Sequence, residues 1–313
     1  MISRRLLRVK VIKALYGYVK SQNDSIANAE KELFYSINKT YDLYHYLFYF
    51  LSELRDYAQT RIEIGKQKLM PTEKERNPNT KFIDNKVNHF IAENIILEKY
   101  YSQHTVQYTE AKNIIKKMFG NIIQHDYYKN YMNSPKRSFE EDKRLVIDIL
   151  TNEFEDFDDL YNLLEEQSIF WNDEIEFVVG MIIKTVKSMK EKQGNEFKLL
   201  PLFKNEEDRE FAKCLFRHAI IHYDKYSVVI DEFTPNWDVE RIAFMDTLIM
   251  VTALSEAVEF SNIPIKVTID EYIELAKFYS TSNSSTFVNG VLDKVIQDFT
   301  NKKIIVKQGL GLL

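Results

Sequence analysis

The first twenty residues carry six basic side chains and no acidic one. At about 100° of rotation per residue, one helix face would carry Arg5, Val9, Lys13, Tyr16 and Lys20. Basic side chains neutralise phosphates, and an exposed tyrosine among them can stack on an unpaired base. With the neighbouring Arg4 and Arg8, the basic and tyrosine residues of this face form a predicted single-strand nucleic-acid surface comprising Arg4, Arg5, Arg8, Lys13, Tyr16 and Lys20. The alternative is a solvated cationic face with a tyrosine at the edge of the core.

A second candidate patch lies near the carboxyl end, where a polar turn precedes a helix. Backbone N–H groups at a helix amino terminus are free to bind a phosphate. The predicted patch comprises Asn283, Ser284, Ser285, Thr286, Phe287 and Asn289. In the alternative interpretation a serine only caps the helix, Phe287 belongs to the core and Gly290 allows close helix packing.

Other potentially reactive residues form weak patterns. His218 and His222 would share one helix turn with Asp224 nearby, but zinc needs a third or fourth suitable ligand, and the glutamate of the metalloprotease pattern is missing. The single cysteine, Cys214, excludes an internal disulfide framework and a cysteine-based zinc cluster. We expect no metal, no cofactor and no catalytic centre.

The elements that position these residues are predicted to be helices. Eight glycines and six prolines in 313 residues are few for a turn-rich β architecture, and apolar residues recur at helical spacing nearly everywhere. We predict a long aromatic helix over residues 40–64, a loop over 70–80, and a helix from Asp238 to about Phe260. Thr268 and Glu271 have the spacing of a capping box that would begin the next helix.

Charge is unevenly distributed along the chain. The net charge is −5, yet residues 151–176 hold ten acids and no base. This stretch is predicted to be a helix with a solvated acidic face, or else a site for a basic partner. No apolar run approaches the roughly 18 residues of a membrane span, so we expect a cytoplasmic protein with no membrane partner. The alternative for the basic start is a mitochondrial transit peptide.

The carboxy-terminal region resembles the closing signature of NusB-type transcription antitermination factors. The resemblance is carried by residues 263–271, 274–277 and 287–293. Upstream, Trp237, Arg241 and Asp246 resemble the family's spacing of a tryptophan, an arginine and an acid. At the other end, the family's basic opening helix is similar to residues 4–8, 14–16 and 22–24.

The resemblance covers roughly 1–24 and 205–298, and the chain looks like the long versions found in the Bacteroides group. It implies an all-α, NusB-like helical bundle with a large helical insertion after the first helix. The expected parts are a basic helix over 1–24, an insertion over 25–204, and the remaining bundle helices over 205–313.

The resemblance also implies a function without catalysis. Such factors pair with a NusE-type small-subunit ribosomal protein and bind boxA-type single-stranded RNA, in support of ribosomal RNA transcription. They join the RNA polymerase antitermination complex indirectly. Arg241 and Asp246 match family positions near the ribosomal-protein contact, and Glu256 sits where a Tyr-Glu pair usually ends the helix. We predict all three as residues that contact the protein partner. Ser255 replaces a usual tyrosine and Met250-Val251 a usual leucine-arginine pair, and an internal ion pair is the alternative role for these three residues.

Two other functions are compatible with the sequence. One is a helical protein-interaction adaptor that binds no RNA. The other is the RNA-binding part of a ribosomal RNA methyltransferase, since NusB-like modules resemble the amino-terminal part of some such enzymes. Those methyltransferases carry a further domain with a glycine-rich cofactor loop. The few glycines of this chain form no such loop.

Overall fold

A computed structural model describes residues 2–21, 25–103, 108–155, 157–234 and 243–312. Within these ranges the secondary structure is helical, and no strand is present, which confirms the predicted all-α class. The first ten helices are α1 (Arg4–Ser21), α2 (Ile26–Lys66), α3 (Glu73–Arg76), α4 (Lys86–Ala92), α5 (Ile95–Gln103), α6 (Tyr108–Ile122), α7 (Asp126–Asn133), α8 (Phe139–Glu153), α9 (Asp158–Gln167) and α10 (Ile175–Ser188).

A short 3₁₀ turn, Glu191–Glu196, follows α10. The later helices are α11 (Glu206–Ile221), α12 (Tyr223–Glu232), α13 (Phe244–Glu259), α14 (Ile265–Tyr279) and α15 (Ser284–Asn301), and a 3₁₀ turn covers Gly309–Leu312. Among the described residues, no helix combines the length and the apolar composition needed to cross a membrane.

The chain divides into two compact units. Unit 1 comprises residues 1–37 and 202–313, and unit 2 comprises residues 38–201. The expected insertion over 25–204 remains a prediction. In the structure, residues 25–37 belong to unit 1, so the first turns of α2 pack with the helices that carry the family resemblance.

Helix α13 is the central element of unit 1. Every residue from Leu248 to Ala257 is buried, as expected of a helix that is surrounded by others rather than lying on a surface. It contacts α1, α11, α12, α14 and α15. Helix α1 packs on α11 and α13 through Leu7, Val11 and Leu15, which are fully buried at spacings of four residues. Residues 6–12 are buried on all sides of the helix, including Val9 of the predicted outer face, and beyond them exposed positions on the opposite side begin at Lys13.

Unit 2 has a core of its own. A stripe on α2 that includes Tyr44, Leu47, Phe48 and Leu51 is buried in one apolar cluster together with side chains of α4, α6, α8 and α10. Polar caps define several helix starts. Ser138, for example, accepts a hydrogen bond from the backbone of Glu141 at 3.3 Å, and three acids occupy the first turn of α8.

Several predicted boundaries are wrong. The capping box at Thr268 does not exist, because α14 begins at Ile265 after Pro264, and the Thr268 hydroxyl is buried and donates to Glu256 Oε1 at 3.0 Å. The aromatic helix begins at Ile26 rather than near residue 40. The loop over 70–80 contains α3, which Thr72 and Glu75 cap reciprocally. Asp238, the expected start of the next helix, lies outside the described residues.

Candidate nucleic-acid interface

The first two predicted cations of α1 are held by carboxylates. Arg4 Nε donates to Asp208 Oδ1 at 2.9 Å. Arg5 forms a bidentate pair with Glu271, with N–O distances of 2.8 and 2.9 Å, on an exposed part of the surface. The hydrogen bond from Arg5 holds the pKa of Glu271 below its ordinary value. Both arginines are partly neutralised within the chain, which reduces their attraction for phosphate.

Arg8 is buried rather than exposed. Its guanidinium donates to both carboxylate oxygens of Glu256 at 2.7 and 2.8 Å, and Glu256 is fully buried. Burial alone would lower the pKa of Arg8, but the hydrogen bonds and charge of Glu256 raise it above the ordinary value. Tyr272 and Thr268 donate their hydroxyl hydrogens to the same carboxylate. Because neither Arg8 nor Glu256 reaches solvent, we place neither in the surfaces proposed below.

The outer side of α1 carries Lys13, Tyr16 and Lys20, a set we call the α1 outer face. All three side chains are exposed, and Tyr16 retains 42% of its accessible surface. The Tyr16 ring meets the ring of Phe244 edge to face at 5.4 Å. The Lys20 ammonium lies 4.1 Å above the same Phe244 ring. The α1 outer face therefore combines two cations with an open aromatic surface.

Lys13 of the α1 outer face lies over the ring of Tyr279, at the end of α14. The Lys13 ammonium is 5.3 Å from the centre of this ring. Cation–π contacts of this kind hold a lysine in place without neutralising its charge. Nothing in the local sequence pattern of α1 indicated Phe244 or Tyr279, which lie more than two hundred residues away along the chain.

The predicted patch at the start of α15 is divided between inside and outside. Ser284 is buried, and its hydroxyl donates to Asp246 Oδ2 at 2.8 Å. Asn283 is the N-cap residue, but its side chain makes no capping hydrogen bond. Asn283 and Thr286 are exposed, whereas Ser285, Phe287 and Asn289 are half-buried.

A groove of about 420 Å³ runs beside this patch. Its lining residues are Phe233, Thr234, Asn283, Thr286, Phe287, Gly290, Val291 and Lys294. Lys294 adds a cation that the sequence pattern did not single out. It lies two helical turns beyond Phe287, so a helical projection of α15 could have indicated it.

The amino-terminal turn of α13 brings the two predicted patches together. Phe244 contacts Tyr16 and Lys20 on α1. Two residues later, Asp246 accepts the hydrogen bond from Ser284 on α15. One helix end therefore links the α1 outer face to the α15 start, although the two patches are separated by more than 260 residues in sequence.

The three residues predicted to contact a protein partner are placed differently from one another. Glu256 is paired with Arg8, and Asp246 is buried against Ser284. Arg241, together with Trp237, lies outside the described residues. Asp246 and Glu256 therefore hold helices of unit 1 together in this structure.

His218 on α11 and His222, which lies between α11 and α12, pack against each other. The rings of His218 and His222 are 4.3 Å apart, and burial lowers the pKa of His218 to about 4. Among the described residues, no group of three or more histidine, cysteine or acidic side chains is arranged to hold a metal ion. Cys214 is half-buried on the same helix, and burial raises the pKa of its thiol.

Comparison with known proteins adds independent information. The NusB family model matches residues 177–297. A curated transcription antitermination protein NusB of Salinibacter ruber is 34% identical over 138 residues, which are 42% of this chain and 86% of that relative. The corresponding protein of Pseudothermotoga lettingae is 36% identical over 133 residues, 42% of this chain and 83% of the relative.

A third relative matches a shorter stretch. The transcription antitermination protein NusB of Chloroherpeton thalassium is 40% identical over 105 residues, 34% of this chain and 50% of that protein. No solved structure matches the chain. In each of these alignments more than half of the present chain lies outside the matched region.

Proposed function

The chain belongs to the NusB family, and on that premise we propose that it is a transcription antitermination factor that binds single-stranded boxA-type RNA. The proposed protein partner is a NusE-type small-subunit ribosomal protein, and the pair would support ribosomal RNA transcription through the antitermination complex of RNA polymerase. The curated relatives carry the name transcription antitermination protein. We expect no catalytic activity.

The observation that carries the RNA part of this proposal is the open ring of Tyr16 between Lys13 and Lys20. An unpaired base can stack on the exposed part of the ring, whose edge is held against Phe244. Each of the two ammonium groups lies over an aromatic ring, a contact that does not cancel its charge, and both lysine side chains are exposed to solvent, where they can meet phosphates. Arg5, paired with Glu271, would contribute less.

The start of α15 supports a continuation of the RNA path. It is joined to the α1 outer face through the first turn of α13, and it presents Asn283, Thr286 and Lys294 beside the groove. Polar side chains and free backbone donors at a helix start are suited to phosphate and sugar contacts. These contacts do not read base edges, so they would position the strand without setting its sequence preference.

A titration of labelled boxA-type RNA with the full chain, alone and with the ribosomal protein, tests the proposal. We expect the two proteins to form a one-to-one complex that binds the RNA more tightly than either does alone, because the second contact becomes intramolecular. A complex that forms but leaves RNA affinity unchanged would contradict cooperative binding. A folded chain that binds the ribosomal protein but no RNA would be an interaction adaptor instead.

A further inference from the structure

Unit 2 contains a groove that the antitermination role does not use. It lies where the last turns of α2 meet α3, α6 and α7, and its volume is about 460 Å³. Its floor is apolar and includes the buried side chains of Ala58, Phe82 and Phe119. All of its lining residues precede residue 177, where the match to the family model begins.

The rim of this groove is cationic. Arg61 is exposed, and its guanidinium lies 5.8 Å from the centre of the Phe119 ring. Among the described residues, no carboxylate oxygen lies within ion-pair distance of Arg61 or Lys74. Lys68 pairs with Glu75, the one acid of the described lining. The rim thus has three cations against one anion and can accept a carboxylate.

Apolar surface continues beyond the groove at the end of α2. Ile64, which lines it, is 59% exposed, and the nearby Leu69 and Met70 are 102% and 86% exposed. Large apolar side chains that are exposed to solvent beside a groove mark an interaction site on a protein surface. A fatty acid would need an enclosed apolar channel to bury its chain, whereas this surface is open and extended, as a peptide requires.

We infer that this groove binds a short apolar segment of a partner protein that carries an Asp or Glu side chain. In this arrangement the apolar side chains of the segment occupy the floor beside Phe82 and Phe119, and its carboxylate meets Arg61. Ile64, Leu69 and Met70 cover the outer side of the bound segment. The inference is independent of the RNA proposal, because none of these residues belongs to the α1 outer face or to the α15 start.

A random peptide library displayed on phage, selected on the immobilised full chain, tests this inference. We expect enrichment of peptides with two or more large apolar residues next to Asp or Glu. Synthetic peptides of the enriched sequence should then bind the chain in a fluorescence titration. No enrichment, or enrichment of basic peptides, would overturn the inference.

Two exposed positions give variants that should fold normally. Arg61→Glu and Ile64→Glu should each weaken binding of the selected peptide by about tenfold or more. Lys187→Glu and Ile169→Glu, at exposed positions away from the groove, are the matched controls and should change binding less than about twofold. Peptide binding that survives both groove variants would place the site elsewhere and overturn the inference.

Two other occupants are distinguished in the same experiments. If dodecanoate binds the chain in competition with the peptide and more tightly, the groove is a lipid site and the inference is wrong. The inference also fails if the wild-type chain dimerises at micromolar concentration and Arg61→Glu is monomeric. RNA affinity is measured on the same variants and should equal that of the wild-type chain. The peptide-binding inference can therefore fail while the RNA proposal stands.

Discussion

At the scale of single residues, Arg8 and Glu256 show how an ionic group can be structural inside an apolar core. The pair joins α1 to α13, and Tyr272 and Thr268 donate to Glu256 from α14. A buried carboxylate is tolerated only when its oxygens are paired and hydrogen-bonded. The four groups together therefore fix three helices of unit 1 in one arrangement.

The substitution Arg8→Met should lower the free energy of unfolding by about 3–5 kcal/mol, because it leaves the Glu256 carboxylate buried without its cation. Arg5→Met removes a comparable bidentate pair from an exposed site and should cost at most about 1 kcal/mol. Urea denaturation followed by circular dichroism measures both. Equal losses for the two variants would contradict the assigned role of the buried pair.

His218 provides a second residue-scale prediction. Burial lowers its pKa to about 4, while His222 and Lys225 oppose its charge. The Glu259 carboxylate, 3.8 Å from Nε2, favours the charged form, but it is exposed, so burial prevails. The unfolded state, with a histidine pKa near 6.5, therefore binds more protons between pH 6.5 and 4.

Stability should accordingly fall as the pH drops through this window, by up to about 3 kcal/mol from this group. Above pH 6.5 the group is neutral in both states and contributes no pH dependence. His218→Phe keeps a ring beside Tyr226 and should flatten the stability profile between pH 4 and 6.5. His89→Gln, at an exposed site, should not flatten it. Parallel profiles for wild type and His218→Phe would show that His218 has the same pKa in the folded and unfolded states, contrary to this prediction.

At the scale of elements, the helical projection of α1 predicted the exposed side of its last turns but not of the turn before them, where Val9, placed on the outer face, is buried. The helical projection placed Lys13, Tyr16 and Lys20 together, and the structure exposes all three. Arg8 was grouped with them because its charge suggests a surface position. Its partner Glu256 lies 248 residues away, and no local pattern could indicate that pairing.

The beginnings of helices were harder to predict than their existence. Thr268 has the local pattern of a cap, yet burial against Glu256 gives its hydroxyl a different use. The first turns of α2 carry Ala29, Leu33 and Ile37 at four-residue spacing, and all three are buried, so the predicted start near residue 40 overlooked a helical pattern that the sequence contains. His222 separates α11 from α12 without a glycine or proline, so no residue type in the local sequence marks this break.

The link between α13 and α15 gives an element-scale prediction. Ser284→Ala removes the hydrogen bond that Asp246 Oδ2 accepts in a buried site, which should cost about 1–3 kcal/mol of stability. Ser285→Ala, at the next and half-buried position, is the control and should be nearly neutral. Because α15 would also lose its register with α13, RNA affinity should fall with Ser284→Ala. Thermal unfolding that is identical in the two variants would argue against this link.

At the scale of the whole molecule, the chain consists of a family-related unit and a second unit with its own core. The buried cluster from Leu43 to Phe197 is formed by unit 2 residues alone. The sequence indicated an insertion from the absence of resemblance over 25–204, but the unit boundaries at 37/38 and 201/202 depend on packing. The role of this unit could not be predicted, because its groove is assembled from helices far apart in sequence.

A fragment comprising residues 38–201 should fold on its own. Its apolar core is internal to the unit, so excision should expose little of it. We expect a helical circular dichroism spectrum and one cooperative thermal transition, with Phe48→Ala lowering the stability by about 3–5 kcal/mol. A fragment that melts without cooperativity, or that is already unfolded, would show that unit 2 depends on the rest of the chain.

The most direct test of the account is the salt dependence of boxA-type RNA binding by the full chain and its α1 variants. With about three to five phosphates neutralised, the log–log slope should be roughly −2 to −3.5, and the Lys13→Ala/Lys20→Ala double variant should make it shallower by about 1.4. Tyr16→Ala should cost about 1–3 kcal/mol of binding without changing the slope. Lys187→Ala/Lys192→Ala, on unit 2, should bind like wild type. A stable Lys13→Ala/Lys20→Ala variant with the affinity and slope of the wild-type chain, with or without the ribosomal protein, would contradict the proposed RNA surface.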